Sequence, residues 1–289
     1  MKYGIYYAYW EKYWRADYRP YIEKAARLGL DILEIACTPI PDYSDSEIRE
    51  IRECAAANGI LLTGGHGPSS EQNIASPDHS VVQNALRFYE KLFKNLEKLG
   101  IKAIGGGIYS YWPVDYSGNI DKTGDRARSI KGVQEMARLA EDHGITLMLE
   151  VLNRFEGYIL NTAAEGVEFV KEVDRKNVRL MLDTFHMNIE EDSMGGAIRS
   201  AKGVLGHFHV GECNRRVPGM GRMPWREIGE ALNDIGYDGA VVMEPFVQMG
   251  GQVGSDIKVW RELSDGTADI LDRDVKQSLE FIKYIFEGK

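Results

Sequence analysis

Along the chain, a helical pattern with one polar face is repeatedly followed by a glycine or an asparagine and then by a short apolar run. Examples are ARLGLDILEIA, EKLGIKAIGGG, AEDHGITLMLE and NDIGYDGAVVME. Glycine is favoured just past a helix end because it adopts a positive φ at little cost. Continuous apolar runs are typical of strands that are covered on both faces. The pattern therefore predicts helices that alternate with buried parallel strands.

Eight strands and eight helices follow from this pattern. The predicted strands are Tyr3–Tyr7, Ile32–Ala36, Leu61–Gly64, Ala103–Gly106, Thr146–Val151, Arg179–Asp183, Gly206–Val210 and Ala240–Glu244. The predicted helices are Tyr21–Leu28, Asp45–Asn58, Ser80–Leu99, Asp125–His143, Ala163–Val173, Gly195–Ala201, Trp225–Ile235 and Asp272–Phe286. Eight strand–helix repeats are typical of a (β/α)8 TIM barrel, an α/β fold, and we expect one such domain over residues 1–289. An open doubly wound sheet is the alternative, but no GxGxxG sequence follows the first strand.

Charge and composition narrow the classes of function. The net charge is −9 and we find no basic run, so binding to nucleic acid, which needs cationic contacts to phosphate, is not expected. No stretch approaches the roughly 18 consecutive apolar residues of a membrane-spanning helix. Cys37, Cys54 and Cys213 are widely spaced and predict neither a disulfide framework nor a zinc knuckle. With no secretory signal at the start of the sequence, a reducing, cytoplasmic location is expected.

Four consecutive predicted strands end in a residue that can bind a metal ion. The segments LMLE, LMLD, HFH and VVME end at Glu150, Asp183, His209 and Glu244. Parallel barrels carry their active sites at the carboxyl ends of the strands, so we expect these side chains to meet at one mouth. Three carboxylates and one imidazole favour Mn²⁺, Mg²⁺ or Co²⁺ over ions that prefer thiolates. A single buried acid is equally well explained by a salt bridge, whereas four at equivalent strand ends predict a metal site.

Further polar residues follow the same strands in the loops. Glu156, His186 and Arg215 lie just beyond the predicted metal ligands, where they could hydrogen-bond a hydroxylated molecule. Arg215 is equally compatible with a structural salt bridge. His66 and His207 are both compatible with hydrogen-bonded residues of the core, and we favour that interpretation for His207.

Aromatic and glycine residues are concentrated at the same predicted mouth. The aromatic residues are Tyr6, Trp14, Trp112 and Phe246. Sugars combine apolar C–H faces with hydroxyl groups, so aromatic walls beside polar groups favour a carbohydrate pocket. Packing between loops or subunits would explain any one of these aromatics equally well. The segments GGHGPSS and GGGIYSY, the second of which contains Gly107, allow tight turns or close approach of the backbone to a ligand.

Five longer segments carry a more specific signal: EVLNRFE, MLDTFHMNIEED, GECNRRVPG, MEPFV and GSDIKVWR. Through them the chain resembles the ketose 3-epimerases, the family of the D-psicose (D-allulose) and D-tagatose 3-epimerases, and clostridial members in particular. The resemblance implies a xylose-isomerase-like TIM barrel that assembles as a homodimer or homotetramer. It implies one Mn²⁺ or Co²⁺ per subunit, with Mg²⁺ as an alternative, bound by Glu150, Asp183, His209 and Glu244. It also implies a substrate pocket formed by Tyr6, Trp14, Gly107, Trp112, Glu156, His186, Arg215 and Phe246.

The implied activity is epimerisation of free ketohexoses at C3, which interconverts D-fructose and D-psicose, with D-tagatose and D-sorbose as further substrates. As a hypothesis, the metal polarises the C2 carbonyl and one of Glu150 and Glu244 removes the C3 proton, giving a cis-enediolate. The other glutamate then protonates the opposite face. An aldose–ketose isomerase is the nearest alternative because it would share the metal and the enediolate. A sugar-phosphate epimerase, an abasic-site endonuclease and a non-catalytic sugar-binding barrel are further alternatives.

Overall fold

A computed structural model describes residues 1–264 and 267–288. Within these residues, eight parallel strands pair in chain order and close into a barrel. The strands are β1 (Lys2–Tyr6), β2 (Ile32–Ala36), β3 (Leu61–Gly65), β4 (Ala103–Gly106), β5 (Thr146–Glu150), β6 (Val178–Asp183), β7 (Leu205–Val210) and β8 (Ala240–Met243). Because β8 pairs with β1, the sheet has no free edge. The predicted TIM barrel is therefore confirmed, and the open doubly wound sheet is excluded.

The helices surround the strands. Those in the described part of the chain are α1 (Arg19–Arg27), α2 (Asp45–Ala57), α3 (His79–Leu99), α4 (Lys122–Asp142), α5 (Ala163–Val173), α6 (Thr184–Glu190), α7 (Met194–Ser200), α8 (Trp225–Asp234), α9 (Gly251–Asp256) and α10 (Ala268–Glu287). Short 3-10 helices occupy Tyr7–Tyr9, Ile40–Asp42 and Ser70–Gln72. The sequence pattern does not predict α6 and α9, which are too short to establish a helical period. Among the described helices, none has the length and apolarity to cross a membrane.

Each long helix turns an apolar face to the barrel. In α3, Ala85, Tyr89, Leu92 and Leu96 are buried at intervals of three or four residues, so they form one stripe along the helix. Burial of a large apolar side chain contributes about 1.5 to 3 kcal/mol relative to exposure. The helices thus fix the outer faces of the strands and leave the strand ends to shape the mouth.

Strand register places two of the predicted metal ligands directly opposite each other. Asp183 pairs with His209 across β6 and β7, and His209 pairs with Val242 across β7 and β8. Glu244 lies one residue beyond β8, not at its last position as predicted. Its backbone N–H still donates to the carbonyl oxygen of Val210 at 3.1 Å, so the side chain keeps the direction that strand geometry gives it. Tyr7, predicted as the end of the first strand, instead begins a 3-10 helix.

Candidate active site

Four side chains, called the metal-ligand group below, bring one possible metal-ligating atom each to a common point at the mouth. They are Glu150, Asp183, His209 and Glu244. His209 Nδ1 lies 3.6 Å from both Asp183 Oδ2 and Glu244 Oε1. The same nitrogen lies 3.8 Å from Glu150 Oε1. Glu150 Oε1, Asp183 Oδ2 and His209 Nδ1 are three of the nine buried side-chain atoms without a hydrogen-bond partner in the described part of the chain, and these three converge on one point. Buried polar atoms nearly always have partners, so this arrangement fits a bound cation.

The spacing and chemistry of this group fit a divalent ion. An ion about 2.1 Å from each ligand places the ligands roughly 3 to 4.3 Å apart. The four ligand atoms lie within 4.8 Å of one another, which is close to that range. Three carboxylates with an ion of charge +2 leave a net charge near −1, and oxygen-rich ligands suit hard or borderline cations. The group could therefore hold an ion such as Mn²⁺, Co²⁺ or Mg²⁺.

The crowded carboxylates strongly affect protonation in this group. Burial, and then the neighbouring charge of Glu244, raise the pKa of Glu150 well above its usual range. The pKa of Asp183 is lowered despite its burial, chiefly by His209 beside it. Burial alone lowers the pKa of His209, but the charges of Glu34 and then Glu244 raise it well above its usual value. The carboxylates thus attract positive charge to their common point, as a metal site requires.

Asp183 joins the metal-ligand group to helix α6. Its Oδ1 accepts hydrogen bonds from the backbone N–H groups of Phe185 at 2.5 Å and His186 at 3.4 Å. A carboxylate that caps a helix N-terminus satisfies backbone donors that otherwise lack partners. Oδ2 remains directed at the other ligands. The same residue therefore starts α6 and places His186 beside the cavity.

Asn153, in the loop after β5, orients both His186 and Glu156. Its backbone N–H and its side-chain Nδ2 lie 3.2 and 2.8 Å from His186 Nδ1. Because a backbone N–H can only donate, His186 Nδ1 is the acceptor and Nε2 carries the proton. That Nε2 lies 3.8 Å from Glu150 Oε1. Asn153 Nδ2 also donates to Glu156 Oε1 at 3.0 Å. The Nε2–H donor of His186 and the carboxylate of Glu156 are therefore held next to each other at the cavity.

Arg215 contacts Glu244, just after β8, and Glu156, in the loop after β5, and so links two sides of the mouth. Its guanidinium lies 3.2 Å from Glu244 Oε2 and 3.7 Å from Glu156 Oε1, and it stacks 3.6 Å from the centre of the Phe185 ring. The residue is buried and has a φ of +63° in the loop after β7. Buried Glu212 holds that loop by accepting hydrogen bonds from the Gly219 and Met223 backbones and the Trp225 indole. Arg215 thus forms salt bridges, one of the two sequence-based alternatives, and it also lines the cavity, while its role toward a ligand stays a prediction.

The metal-ligand group lies in a cavity of about 370 Å³, a size typical of small-molecule sites. All eight residues predicted to bind substrate line it: Tyr6, Trp14, Gly107, Trp112, Glu156, His186, Arg215 and Phe246. Three of the aromatic rings form one wall, with ring centres 6.0 Å apart for Tyr6 and Phe246 and 6.4 Å apart for Tyr6 and Trp14. Trp112 lines the cavity from the loop after β4, beside Gly67. Glu150, His209 and Glu244 also line the cavity, whereas Asp183 is fully buried. The structure brings the predicted residues together, and their roles remain predictions.

Glycines at the ends of β3 and β4 make room for this cavity. Gly106 has a φ of +117°, and a Cβ there would lie 2.2 Å from the His66 carbonyl oxygen. A Cβ at Gly65 would lie 3.0 Å from the Tyr6 ring. These glycines therefore allow close packing of protein atoms around the cavity, whereas close approach of the backbone to a ligand stays a prediction.

Sequence reasoning misses several residues of the cavity wall, among them His66 and Asp256. His66 is buried as expected, its Nδ1 lies 3.2 Å from Thr38 Oγ1, and burial lowers its pKa to about 3. It also lines the cavity, which the prediction of a core histidine did not include. Asp256, in the unpredicted helix α9, accepts a hydrogen bond from Trp14 Nε1 at 2.7 Å. No local sequence signal indicates this pairing, because the two residues are 242 positions apart.

Comparisons with known proteins agree with this geometry. Residues 22–266 match the family model of the xylose isomerase-like TIM barrel. A D-psicose 3-epimerase from Ruminiclostridium cellulolyticum is 62% identical over 288 residues, covering 99% of this chain and 98% of that protein. The chain belongs to the D-psicose 3-epimerase family. It is therefore an enzyme of the isomerase class, and the resemblance expected from the sequence is confirmed.

Two further comparisons extend over the whole fold. A D-psicose 3-epimerase from Agrobacterium fabrum is 58% identical, covering 100% of both chains. A crystal structure of D-psicose 3-epimerase with D-tagatose, from Clostridium cellulolyticum H10, has a TM-score of 0.98 and 62% identity. That similarity covers 99% of this chain and 100% of the other. The family and the fold are thus shared along essentially the full length.

Proposed function

We propose that this enzyme interconverts D-fructose and D-psicose by inverting C3 of the free, open-chain ketohexose. The observation that carries the proposal is the convergence of Glu150 and Glu244 with Asp183 and His209 in a cavity of suitable size, in a chain of this family. D-Tagatose, which is present in the structure of a 62% identical relative, and D-sorbose are proposed as further substrates. The preferred substrate is a matter for kinetic measurement.

The metal centre is proposed to hold one divalent cation per subunit, Mn²⁺ or Co²⁺, with Mg²⁺ as an alternative. Glu150, Asp183, His209 and Glu244 would be its ligands. When bound, such an ion supplies Lewis-acid polarisation of the C2 carbonyl and stabilises the negative charge of a cis-enediolate. The buried atoms without hydrogen-bond partners at this point support the proposal.

Glu150 and Glu244 are proposed as the two acid–base groups. They extend from β5 and from the end of β8, so a sugar bound between them would have one carboxylate near each face of C3. One removes the C3 proton and the other delivers a proton to the opposite face, which inverts the carbon. Arg215 contacts Glu244 through Oε2 and leaves Oε1 directed at the metal-ligand group, which supports an ordered position for this carboxylate.

Glu156, His186 and Arg215 are proposed to hold the O1 to O3 end of the sugar. His186 directs an Nε2–H donor into the cavity, Glu156 offers acceptors and Arg215 offers further donors. Hydroxyl groups both donate and accept, so this mixture matches an open-chain ketose. The Asn153 hydrogen bonds support fixed orientations for His186 and Glu156 before substrate binds.

The aromatic wall is proposed to contact the C–H faces of the sugar. Its members are Tyr6, Trp14 and Phe246, and Trp112 and Gly107 line the cavity from the segment after β4. Such rings contribute large apolar contact areas with little side-chain freedom to lose. The proposed division of the pocket is therefore a polar end above the metal-ligand group and an apolar side toward the remaining carbons.

The remaining proposals concern organisation. We propose that residues 1–289 form one catalytic domain that acts in the cytoplasm as a homodimer or homotetramer. Two large apolar side chains in loops at the mouth, Phe155 and Trp260, are 72% and 68% exposed. Both side chains would be available for contact with another copy of the chain.

Glu156→Gln tests the proposed role of this carboxylate in binding substrate. We expect kcat/KM to fall by about 10- to 100-fold, since a hydrogen bond to a charged group contributes roughly 1.5 to 3 kcal/mol. Metal content should stay unchanged, because Glu156 supplies no atom to the metal-ligand group. Steady-state kinetics and metal analysis measure the two effects. Glu53→Gln, at an exposed position on α2, is the matched control; loss of metal from Glu156→Gln would instead make Glu156 a ligand.

Product analysis tests the proposed reaction itself. The Mn²⁺-loaded protein should convert D-fructose to D-psicose, and D-psicose to D-fructose, as followed by chromatography and ¹³C NMR. Formation of an aldose would contradict the proposal in favour of an aldose–ketose isomerase. Conversion of ketose phosphates without conversion of free ketoses would identify a sugar-phosphate epimerase.

A further inference from the structure

Glu34 is a buried carboxylate in the interior of the barrel that sequence reasoning does not identify. It lies in the middle of the otherwise apolar strand β2 and is 1% exposed. Its Oε1 lies 2.7 Å from His209 Nε2, across the barrel on β7. Its Oε2 accepts a hydrogen bond from Thr63 Oγ1 at 2.8 Å and lies 3.1 Å from His207 Nε2. An apolar residue would fill this layer without the cost of burying a charge, which points to a role beyond packing.

The contact with Glu34 determines which nitrogen of His209 faces the metal-ligand group. A carboxylate oxygen accepts hydrogen bonds, so His209 Nε2 carries a proton, and Nδ1 is the nitrogen that can offer a lone pair to a cation. Nδ1 is the atom that lies 3.6 Å from Asp183 Oδ2 and Glu244 Oε1. Histidines that bind metals commonly donate their other N–H to a carboxylate, which fixes the ring and raises its basicity. Here Glu34 is the carboxylate that accepts the Nε2–H of His209.

A hydrogen bond explains this contact better than a second metal ion does. Glu34, His207 and His209 do form another group of possible ligand atoms. However, Glu34 Oε1 and His209 Nε2 are 2.7 Å apart, whereas two ligands of one ion lie roughly 3 Å apart or more. A second ion would also require His209 to lose the protons from both nitrogens. The geometry therefore favours one ion, with Glu34 behind its histidine ligand.

We propose that Glu34 is a positioning residue for the metal centre, acting through His209 to fix the imidazole and to set the affinity for the divalent cation. The proposal rests on the proposed function in one respect, that the four-ligand group binds such a cation. Thr63 contributes by donating to Glu34 Oε2, which holds the carboxylate plane toward β7. The expected consequence of losing the carboxylate is weaker metal binding with the four direct ligands all present.

Glu34→Gln tests this proposal because it preserves size while removing the charge. We expect the dissociation constant for Mn²⁺ and for Co²⁺, measured by titration of metal-free protein, to rise about 10- to 100-fold. The visible absorption spectrum of bound Co²⁺ should also change, since the orientation of the imidazole affects it. A purely structural role would move neither of these readouts. Asp274→Asn, at a buried carboxylate on α10, is the matched control and should leave both readouts at wild-type values.

Glu34→Asp is measured in parallel in case the glutamine variant does not fold. It keeps the charge but withdraws the carboxylate from His209 by one methylene, so metal affinity should again fall. Wild-type affinity and an unchanged Co²⁺ spectrum in a folded variant would overturn the proposal. Binding of two ions by the wild type and of one by Glu34→Gln would overturn it too, by making Glu34 a ligand. Failure of the wild type itself to bind a divalent ion would instead contradict the proposed function.

Discussion

Glu150→Gln and Glu244→Gln are each expected to lower kcat for the conversion of D-fructose to D-psicose by at least about 10³-fold. Each substitution removes one of the two proposed acid–base groups, and a positioned general acid or base contributes roughly 10²- to 10⁴-fold. Each substitution also removes a negatively charged proposed metal ligand, so part of the loss of activity would come from weaker metal binding. Initial rates are therefore measured at saturating Mn²⁺, with metal occupancy determined on the same samples.

Isotope exchange separates the chemical defect from the binding defect in these variants. In D₂O, a variant that retains one glutamate should exchange the C3 hydrogen of the epimer whose C3–H faces that glutamate, without forming the other epimer. Glu150→Gln and Glu244→Gln should therefore prefer opposite epimers. Net epimerisation near the wild-type rate by either variant, with metal bound, would contradict the two-base proposal.

Removal of the divalent ion is expected to abolish activity and to lower the melting temperature. Ligand binding to the native state alone stabilises by about 4 kcal/mol when the ligand is present at 1,000 times its dissociation constant. For a chain of this size that corresponds to a shift on the order of 10 °C. Thermal unfolding with EDTA and after readdition of Mn²⁺ or Co²⁺ measures the effect. Full activity in EDTA would contradict a role for the metal.

Asp183→Asn is the matched variant for the metal-removal experiment. Asparagine is as good an N-terminal helix cap as aspartate, so its side-chain oxygen can keep the hydrogen bonds that start α6. The substitution neutralises the side chain that presents Oδ2 to the other ligands. We therefore expect a folded protein whose melting temperature responds far less to added metal. A response equal to that of the wild type would place the ion elsewhere.

The barrel and the convergence of the proposed metal ligands could be predicted because each of these residues lies at or near the carboxyl end of a strand that the sequence pattern indicates. Glu150 and Asp183 are the last residues of β5 and β6, and His209 is the last but one of β7. Glu150 and Asp183 each follow an apolar run that ends sharply, and His209 alternates with His207 along β7, so their places at the mouth follow from the direction of a parallel strand. Glu244, one residue past β8, shows that the prediction tolerates small errors in strand boundaries.

The supporting residues could not be predicted because their partners are distant in sequence. Glu34 contacts His209 from 175 positions away, and a lone acid in an apolar strand equally well indicates a buried salt bridge. The pairing of Trp14 with Asp256 depends on helix α9, whose sequence GQVGSD has no helical period. Helix α6 likewise begins where Asp183 caps it, within a segment too short to show an amphipathic pattern.

Incubation of the Mn²⁺-loaded protein with D-fructose in D₂O tests the central claim most directly. A two-base epimerase draws the new C3 proton from the second carboxylate, which exchanges with solvent. The D-psicose formed should therefore carry deuterium at C3 and none at C1, as read by NMR and mass spectrometry. Unlabelled D-psicose, or an aldose with label introduced at C1 or C2, would contradict the account.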